Sequence, residues 1–235
     1  MNASASVERR HAFVLSATDT QTLWRLLEEF AGKTEATALC SDDLERTFDT
    51  PDELLAYDNP VSREIVKLSL ASRSSDYNTR AEVSFFSNDQ PSIRLRATGA
   101  EDSVTRFKAA LIDTLGGMRP WYSPVARLDF IYVVGGIFLV LIMLVQAMTG
   151  DGKPTPGLSA GKAGLVIIIT LAMLAILGLM IWVLNLLRRR FFPVATFSLG
   201  QGQRRHDFDE RIRWVVFVGL LVSIVGSLFA ALMRA

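Results

Sequence analysis

The hydropathy pattern divides the chain into two halves. Up to about residue 117, apolar residues either alternate with polar ones or recur at helical spacing. These two patterns are typical of half-buried strands and of amphipathic helices, respectively. Beyond residue 129, apolar residues form three continuous runs of about 20 residues, the length that crosses a hydrocarbon layer of about 30 Å. The pattern predicts an α+β domain followed by an all-α bundle of three transmembrane helices.

The first half contains six segments with strand patterning and two long amphipathic segments. We predict strands at 11–16, 36–40, 45–48, 65–72, 80–87 and 92–97, and main helices at 20–31 and 102–115. The sequence Thr50-Pro51-Asp52-Glu53 predicts the start of a shorter helix, with an N-cap, a proline at the first position and a glutamate at the third. Short connections between the last three strands favour antiparallel pairing. We therefore expect a sheet of about six mostly antiparallel strands, with the two main helices on one face.

The positions of the arginines predict an orientation for the three spans. Residues 188–213 contain seven arginines, whereas the loop at 149–162 contains two lysines and one aspartate. Because positively charged loops remain on the cytoplasmic side, the α+β domain and residues 188–213 should lie inside and the C-terminus outside. The interpretation is an integral protein of a bacterial inner membrane.

The predicted organisation has eight segments. They are a disordered N-terminus (1–9), a cytosolic α+β domain (10–117), a juxtamembrane linker (118–129), a first transmembrane helix (130–148), an external loop (149–162), a second transmembrane helix (163–187), a basic cytosolic loop (188–213) and a third transmembrane helix (214–233). The basic loop contains a short strand pattern at 194–199, a turn at Gly200-Gln201-Gly202 and a capping box formed by Asp207 and Glu210 at the start of the third helix.

Charge is distributed unevenly between the halves. Residues 1–125 have a net charge of −5 and residues 126–235 one of +6, within a total of +1. An acidic first half argues against nucleic acid as a partner. The basic second half predicts contact with the lipid bilayer, through anionic headgroups bound by Arg188, Arg189, Arg190, Arg204 and Arg205. The alternative for the last two, a phosphate cradle with Gly200 and Gly202, lacks the remainder of a phosphate-binding motif.

Two further surfaces are candidates for binding. One face of the predicted sheet carries Lys67, Arg80, Arg94 and Arg96, and this face could bind a protein partner or a small anionic ligand. The alternative is an ordinary solvated face with charges paired across strands. In the last apolar run, small residues recur every fourth position and predict either packing within the chain, for example on Gly135 and Gly136, or a homo-oligomer contact. They are Gly219, Ser223, Ser227 and Ala231.

The residue types needed for common catalytic and metal sites are sparse. Cys40 is the only cysteine, and the only histidines, His11 and His206, are far apart in the sequence. We predict no catalytic residues, no metal and no cofactor. The leading hypothesis is a membrane-tethered binding or sensing module and not an enzyme. The alternative is an oligomeric pore or membrane-disrupting effector controlled by the α+β domain.

Overall fold

The computed structural model describes residues 1–87, 91–149 and 160–233. It divides the chain into two units. The first unit combines Met1–Pro124 with Pro193–Ala235, and the second consists of Val125–Phe192. The first unit is therefore assembled from two stretches that are distant in the sequence.

The described residues form eight strands and seven α-helices. The strands are β1 (Asn2–Arg9), β2 (Phe13–Ser16), β3 (Lys33–Cys40), β4 (Glu45–Phe48), β5 (Ile65–Arg73), β6 (Arg80–Phe86), β7 (Ile93–Ala100) and β8 (Ala195–Ser198). The helices are α1 (Ala17–Ala31), α2 (Pro51–Ala56), α3 (Glu101–Gly117), α4 (Ser123–Ala126), α5 (Phe130–Thr149), α6 (Ala160–Phe191) and α7 (Gln201–Leu232). A single 3₁₀ turn spans Val61–Arg63.

A six-stranded antiparallel sheet forms the centre of the first unit, in the order β1-β7-β6-β5-β3-β4. Alternate strand residues such as Leu68, Leu70 and Val83 are fully buried on one face. Helices α1 and α3 contribute Leu27 and Leu111 to the same core. A six-stranded antiparallel sheet is present as predicted. One of its six strands is not the predicted one.

The N-terminal residues account for this difference. Asn2–Arg9 forms the edge strand β1, paired with β7 along its whole length, so the prediction of a disordered N-terminus is wrong. Its alternating residues Ala3, Ala5 and Val7 are half-buried, and this small apolar face is sufficient to place a strand at the sheet edge. The predicted first strand is present as β2 but lies outside the six-stranded sheet.

Strand β2 pairs in parallel with β8, and Phe13 lies opposite Ala195. The ring of Phe13 lies 5.7 Å from that of Phe197 and 5.2 Å from that of Phe85 in the large sheet. Phe197 and Leu199 are both buried in the common core. Residues 193–213 of the segment predicted as a basic loop are thus part of the first unit.

The prediction of three transmembrane helices is contradicted. Across residues 1–87, 91–149 and 160–233, no helix combines the length and the hydropathy that membrane crossing requires. The same finding contradicts the predicted all-α membrane bundle, its orientation and the inner-membrane location. It also contradicts the hypotheses of a membrane-tethered module and of a pore. Most of the predicted external loop, residues 150–159, lies outside the described residues.

Candidate ligand-binding site on the open face of the sheet

The face of the six-stranded sheet opposite α1 and α3 is polar. Because side chains alternate between the two faces of a strand, burial of Leu68 and Leu70 places Lys67, Ala71 and Arg73 on the other face. We call this surface the open face. The strand register arranges its side chains in rows that run across the sheet.

One row on the open face contains three cations on three neighbouring strands. Lys33 on β3 lies opposite Arg73 on β5, and Arg73 lies opposite Arg80 on β6. We call Lys33, Arg73 and Arg80 the basic row. All three are exposed, and none forms an ion pair with any residue that the structure describes. Like charges at directly opposite positions of neighbouring strands are destabilising, so this arrangement opposes folding.

The basic row lines a groove with a volume of about 1010 Å³. This volume is at the upper end of the range for small-molecule sites, about 300–1000 Å³. The row next to it on the open face contains Arg96, Glu82 and Glu35, which also line the groove. Hydroxyl groups complete the lining and come from Ser4, Ser6, Ser74, Ser75, Tyr77 and Thr98.

The β5–β6 turn places an aromatic ring at the groove. Tyr77 has φ of +61°, a left-handed conformation that costs a non-glycine residue about 1–2 kcal/mol. The carboxylate of Asp76 holds this turn by accepting hydrogen bonds from Ser74 Oγ at 2.6 Å and from Asn78 Nδ2 at 3.1 Å. These bonds, that from Ser74 foremost, lower the pKa of Asp76. The guanidinium of Arg73 lies 5.4 Å from the centre of the Tyr77 ring.

The four residues predicted as a ligand face lie on the open face but separate into two groups. Arg80 and Arg96 line the groove. Lys67 and Arg94 lie at the other end, over the ring of Phe86 at 5.6 and 5.4 Å, and Arg94 is 3.5 Å from the carboxylate of Glu8. The second group therefore has partners within the protein, which is the arrangement of an ordinary solvated face.

Sequence reasoning missed Lys33, Arg73 and Tyr77. The predicted strand ended at Ser72, one residue before the position that lies opposite Arg80. Extending that strand by one residue would have revealed the contact between two arginines. Lys33 required the long-range pairing of β3 with β5, which no local pattern specifies.

The five arginines predicted to contact lipid headgroups are in different environments. In the second unit, Arg188 donates a hydrogen bond to the carbonyl of Leu128, and Arg189 is exposed. Arg190 and Arg204 are also exposed. Arg205 is half-buried and belongs to a contact within the first unit, described next. Headgroup binding by these residues is not tested and stays a prediction.

The segment after β8 docks on the segment after α2, and we call this contact the junction. Asn59 is fully buried with φ of +46°. Its Nδ2 donates to Phe197 O at 3.1 Å, and its Oδ1 accepts from Ile65 N at 2.9 Å. Arg205 Nη2 donates to Asn59 O at 3.0 Å and lies 3.4 Å from the carboxylate of Glu64. The junction thus binds residues 193–205 to the α+β body through buried polar contacts.

The two glycines of the junction are needed for close approach. A Cβ on Gly200, whose φ is +51°, would lie 2.6 Å from the carbonyl oxygens of Tyr57 and Asp58. A Cβ on Gly202 would collide with the carbonyl of Phe197. The backbone N–H groups of Gln201 and Gly202 donate to protein carbonyls at 2.7 and 2.8 Å. A phosphate cradle would require those N–H groups, so packing explains this Gly-x-Gly segment.

The predicted small-residue face lies on α7. Gly219, Ser223 and Ser227 are exposed, and the Ser227 hydroxyl donates to Ser223 O in its own helix at 2.8 Å. The side chain of Ala231 lies outside the described residues. The homo-oligomer contact is not tested and stays a prediction.

A second, smaller cavity of about 270 Å³ lies between α1, the residues after α3 and the start of α7. His206 and Glu210 line it, with a separation of 3.6 Å between Nε2 and the carboxylate, and Asp19 lies across from them. Burial, and then the charge of Arg213, lower the pKa of His206. Arg213 is itself buried, with its guanidinium 4.4 Å from the ring centre of Tyr122. His206 is therefore a packed residue and not the surface residue that its isolation in the sequence indicates.

Comparison of the chain with known protein families, with curated proteins and with solved structures gave no match. The groove and the second cavity are thus the features of the described residues from which a function can be derived. Of the two, the groove is larger and carries the uncompensated charge.

Proposed function

We propose that the first unit is a binding domain for a small anionic ligand, which occupies the groove on the open face. One observation carries the proposal: Lys33, Arg73 and Arg80 face one another on adjacent strands with no ion pair to a described residue. An anion placed between them would replace repulsion by attraction. The binding energy would then derive from a charge arrangement that the fold maintains at a cost to its own stability.

The chemistry of the lining supports a phosphate or carboxylate group. Arginine presents a planar set of donors that matches such groups in a bidentate manner, and lysine adds a mobile point charge. Hydroxyl groups from Ser4, Ser6 and Thr98 lie along the same groove and can donate to the remaining oxygens. The size of the groove favours a small molecule over an extended polyanion.

The acidic character of the surroundings supports the same choice. Residues 1–125 carry a net charge of −5, so a long nucleic acid would meet repulsion outside the groove. Glu35 and Glu82 lie directly beside the basic row, so the attraction for an anion is confined to the part of the groove at the basic row. We propose a binding function for the groove and assign no reaction to it.

Isothermal titration calorimetry on the full chain tests the proposal with inorganic phosphate, pyrophosphate and citrate as probes. We expect at least one probe to bind with a Kd below about 1 mM, and the affinity to fall as salt rises to about 200 mM. The double variant Arg73→Glu with Arg80→Glu should lose binding by at least tenfold. A matched control, Arg106→Glu with Lys108→Glu, changes the net charge equally on exposed positions of α3 across the sheet.

Two results would contradict the proposal. One is failure of all three probes to bind the unaltered chain at low salt. The other is equal weakening by the groove variant and the α3 control, which would show a response to net charge and not to the basic row. Circular dichroism of each variant checks that a loss of binding does not result from a loss of folding.

A further inference from the structure

The side chain of Tyr77 is presented at the groove in an unusual way. Few bulky residues adopt a positive φ, and here the hydrogen bonds to Asp76 maintain that conformation. Tyr77 is 71% exposed although its side chain is large and mostly apolar. The turn therefore places an aromatic surface beside the basic row where water, and not protein, covers most of it.

Tyr77 has one cation over its ring and is otherwise largely exposed. Arg73 lies over the ring at 5.4 Å from its centre, in a cation–π arrangement. A guanidinium covers one face only, and most of the residue is exposed, which leaves area for a stacked base. The same arginine thus contributes a charge to the basic row and supports the ring at the groove.

Carboxylates lie in the neighbouring row of the open face. Glu82 on β6 lies opposite both Arg96 and Ala71, and Glu35 lies opposite Ala71 on its other side. Both glutamates line the groove. Carboxylates accept hydrogen bonds from sugar hydroxyl groups, which inorganic phosphate does not offer. The groove thus combines cations, an aromatic face and hydroxyl acceptors.

We propose that the ligand is a nucleoside monophosphate. Its phosphate binds the basic row, its sugar hydroxyls donate to Glu82 or Glu35, and its base stacks on the ring of Tyr77. This inference rests on the proposed function of the groove and names the class of ligand for it. Base–aromatic stacking tolerates any base, so the structure favours no particular one.

Binding of adenosine 5′-monophosphate and of ribose 5-phosphate to the full chain provides the test. The two share the sugar phosphate and differ in the base. We expect the nucleotide to bind about tenfold more tightly, the usual order for one base–aromatic stack. Tyr77→Asn should remove this difference, because it deletes the ring while asparagine tolerates the positive φ of the turn. Tyr77→Phe, which keeps the ring, should retain the difference.

The outcomes separate this inference from the proposal on which it rests. Equal affinity for both compounds, with no effect of Tyr77→Asn, would overturn the nucleotide inference and leave anion binding intact. If neither compound binds although pyrophosphate does, the nucleotide inference also fails alone. Binding of no phosphate compound and no citrate overturns both.

Discussion

The groove and the junction contain similar residues but use them in opposite ways. The junction contains Gly200, Gly202 and Arg205, a combination that in sequence resembles an anion site. Its N–H groups and its arginine are committed to protein carbonyls and to Glu64. In the groove, Arg73 and Arg80 face each other without an acidic partner among the described residues.

This difference shows that the role of a polar group depends more on whether it already has a partner within the protein than on its residue type. Buried groups with partners stabilise the junction, since leaving any of them unpaired costs about 1–3 kcal/mol. The exposed cations of the basic row have no ion-pair partner among the described residues, and their mutual repulsion opposes folding. Changes at the two places should therefore alter stability in opposite directions.

The largest expected effect is at the junction. Asn59→Ala leaves Ile65 N and Phe197 O without their partner, so we expect the free energy of unfolding to fall by about 3 kcal/mol. Urea denaturation of the full chain measures it. Asn2→Ala, at an exposed position of β1, provides a control with an effect below about 0.5 kcal/mol. A loss at Asn59 no greater than that of the control would show that the junction is not a stabilising contact.

A smaller effect is expected at His206, which lies on α7 beside the junction: the free energy of unfolding should depend on pH. Burial lowers the pKa of His206 in the folded state below its ordinary value of 6.5, which the unfolded chain retains. As the pH falls below about 6.5, the unfolded state therefore takes up a proton first, and stability declines until the folded pKa is reached. His206→Gln should remove this part of the pH dependence, as measured by urea midpoints.

The control for this experiment is His11→Gln, which leaves His206 in place and should retain the dependence. The lowered pKa of His206 would be contradicted if stability rose on acidification through the same range and did so only when His206 was present. It would mean that Glu210, at 3.6 Å, outweighs burial and Arg213.

The smallest expected effect has the opposite sign and belongs to the groove. Arg80→Gln removes repulsion with Arg73, so unfolding at low salt should require about 0.5 kcal/mol more free energy. The gain should disappear at about 1 M salt. Arg94→Gln is the matched change, and because Arg94 has Glu8 as a partner it should give no gain. Equal gains from both variants would indicate a general effect of net charge.

Local patterns predicted much of the first unit and part of its candidate site. The amphipathic segments became α1 and α3, and the capping sequence beginning at Thr50 became α2, with Thr50 Oγ1 accepting from Glu53 N at 3.3 Å. Alternation also located the strands that carry Arg80 and Arg96. Register is a property of pairs of strands, however, so the basic row appeared only once β3, β5 and β6 were aligned.

Other predictions failed because a pattern in one segment does not reveal what that segment contacts. The alanines and serines of β1 carry too little apolar surface to indicate a strand, yet pairing with β7 is enough to order them. The parallel partner of β2 lies in another part of the chain. Runs of apolar residues were interpreted as spans, which the described helices do not support.

The junction also constrains when the first unit can form during synthesis. Asn59 and Phe197, joined by a hydrogen bond, are 138 positions apart in the chain. A nascent chain that ends before residue 193 lacks β8, Phe197 and Leu199, so β2 has no partner strand and the core is incomplete. The first unit is therefore complete only after the ribosome delivers these late residues, and closing so long a loop is slow. Until then the edge of β2 that pairs with β8 is unpaired, and an unpaired strand edge can associate with other chains.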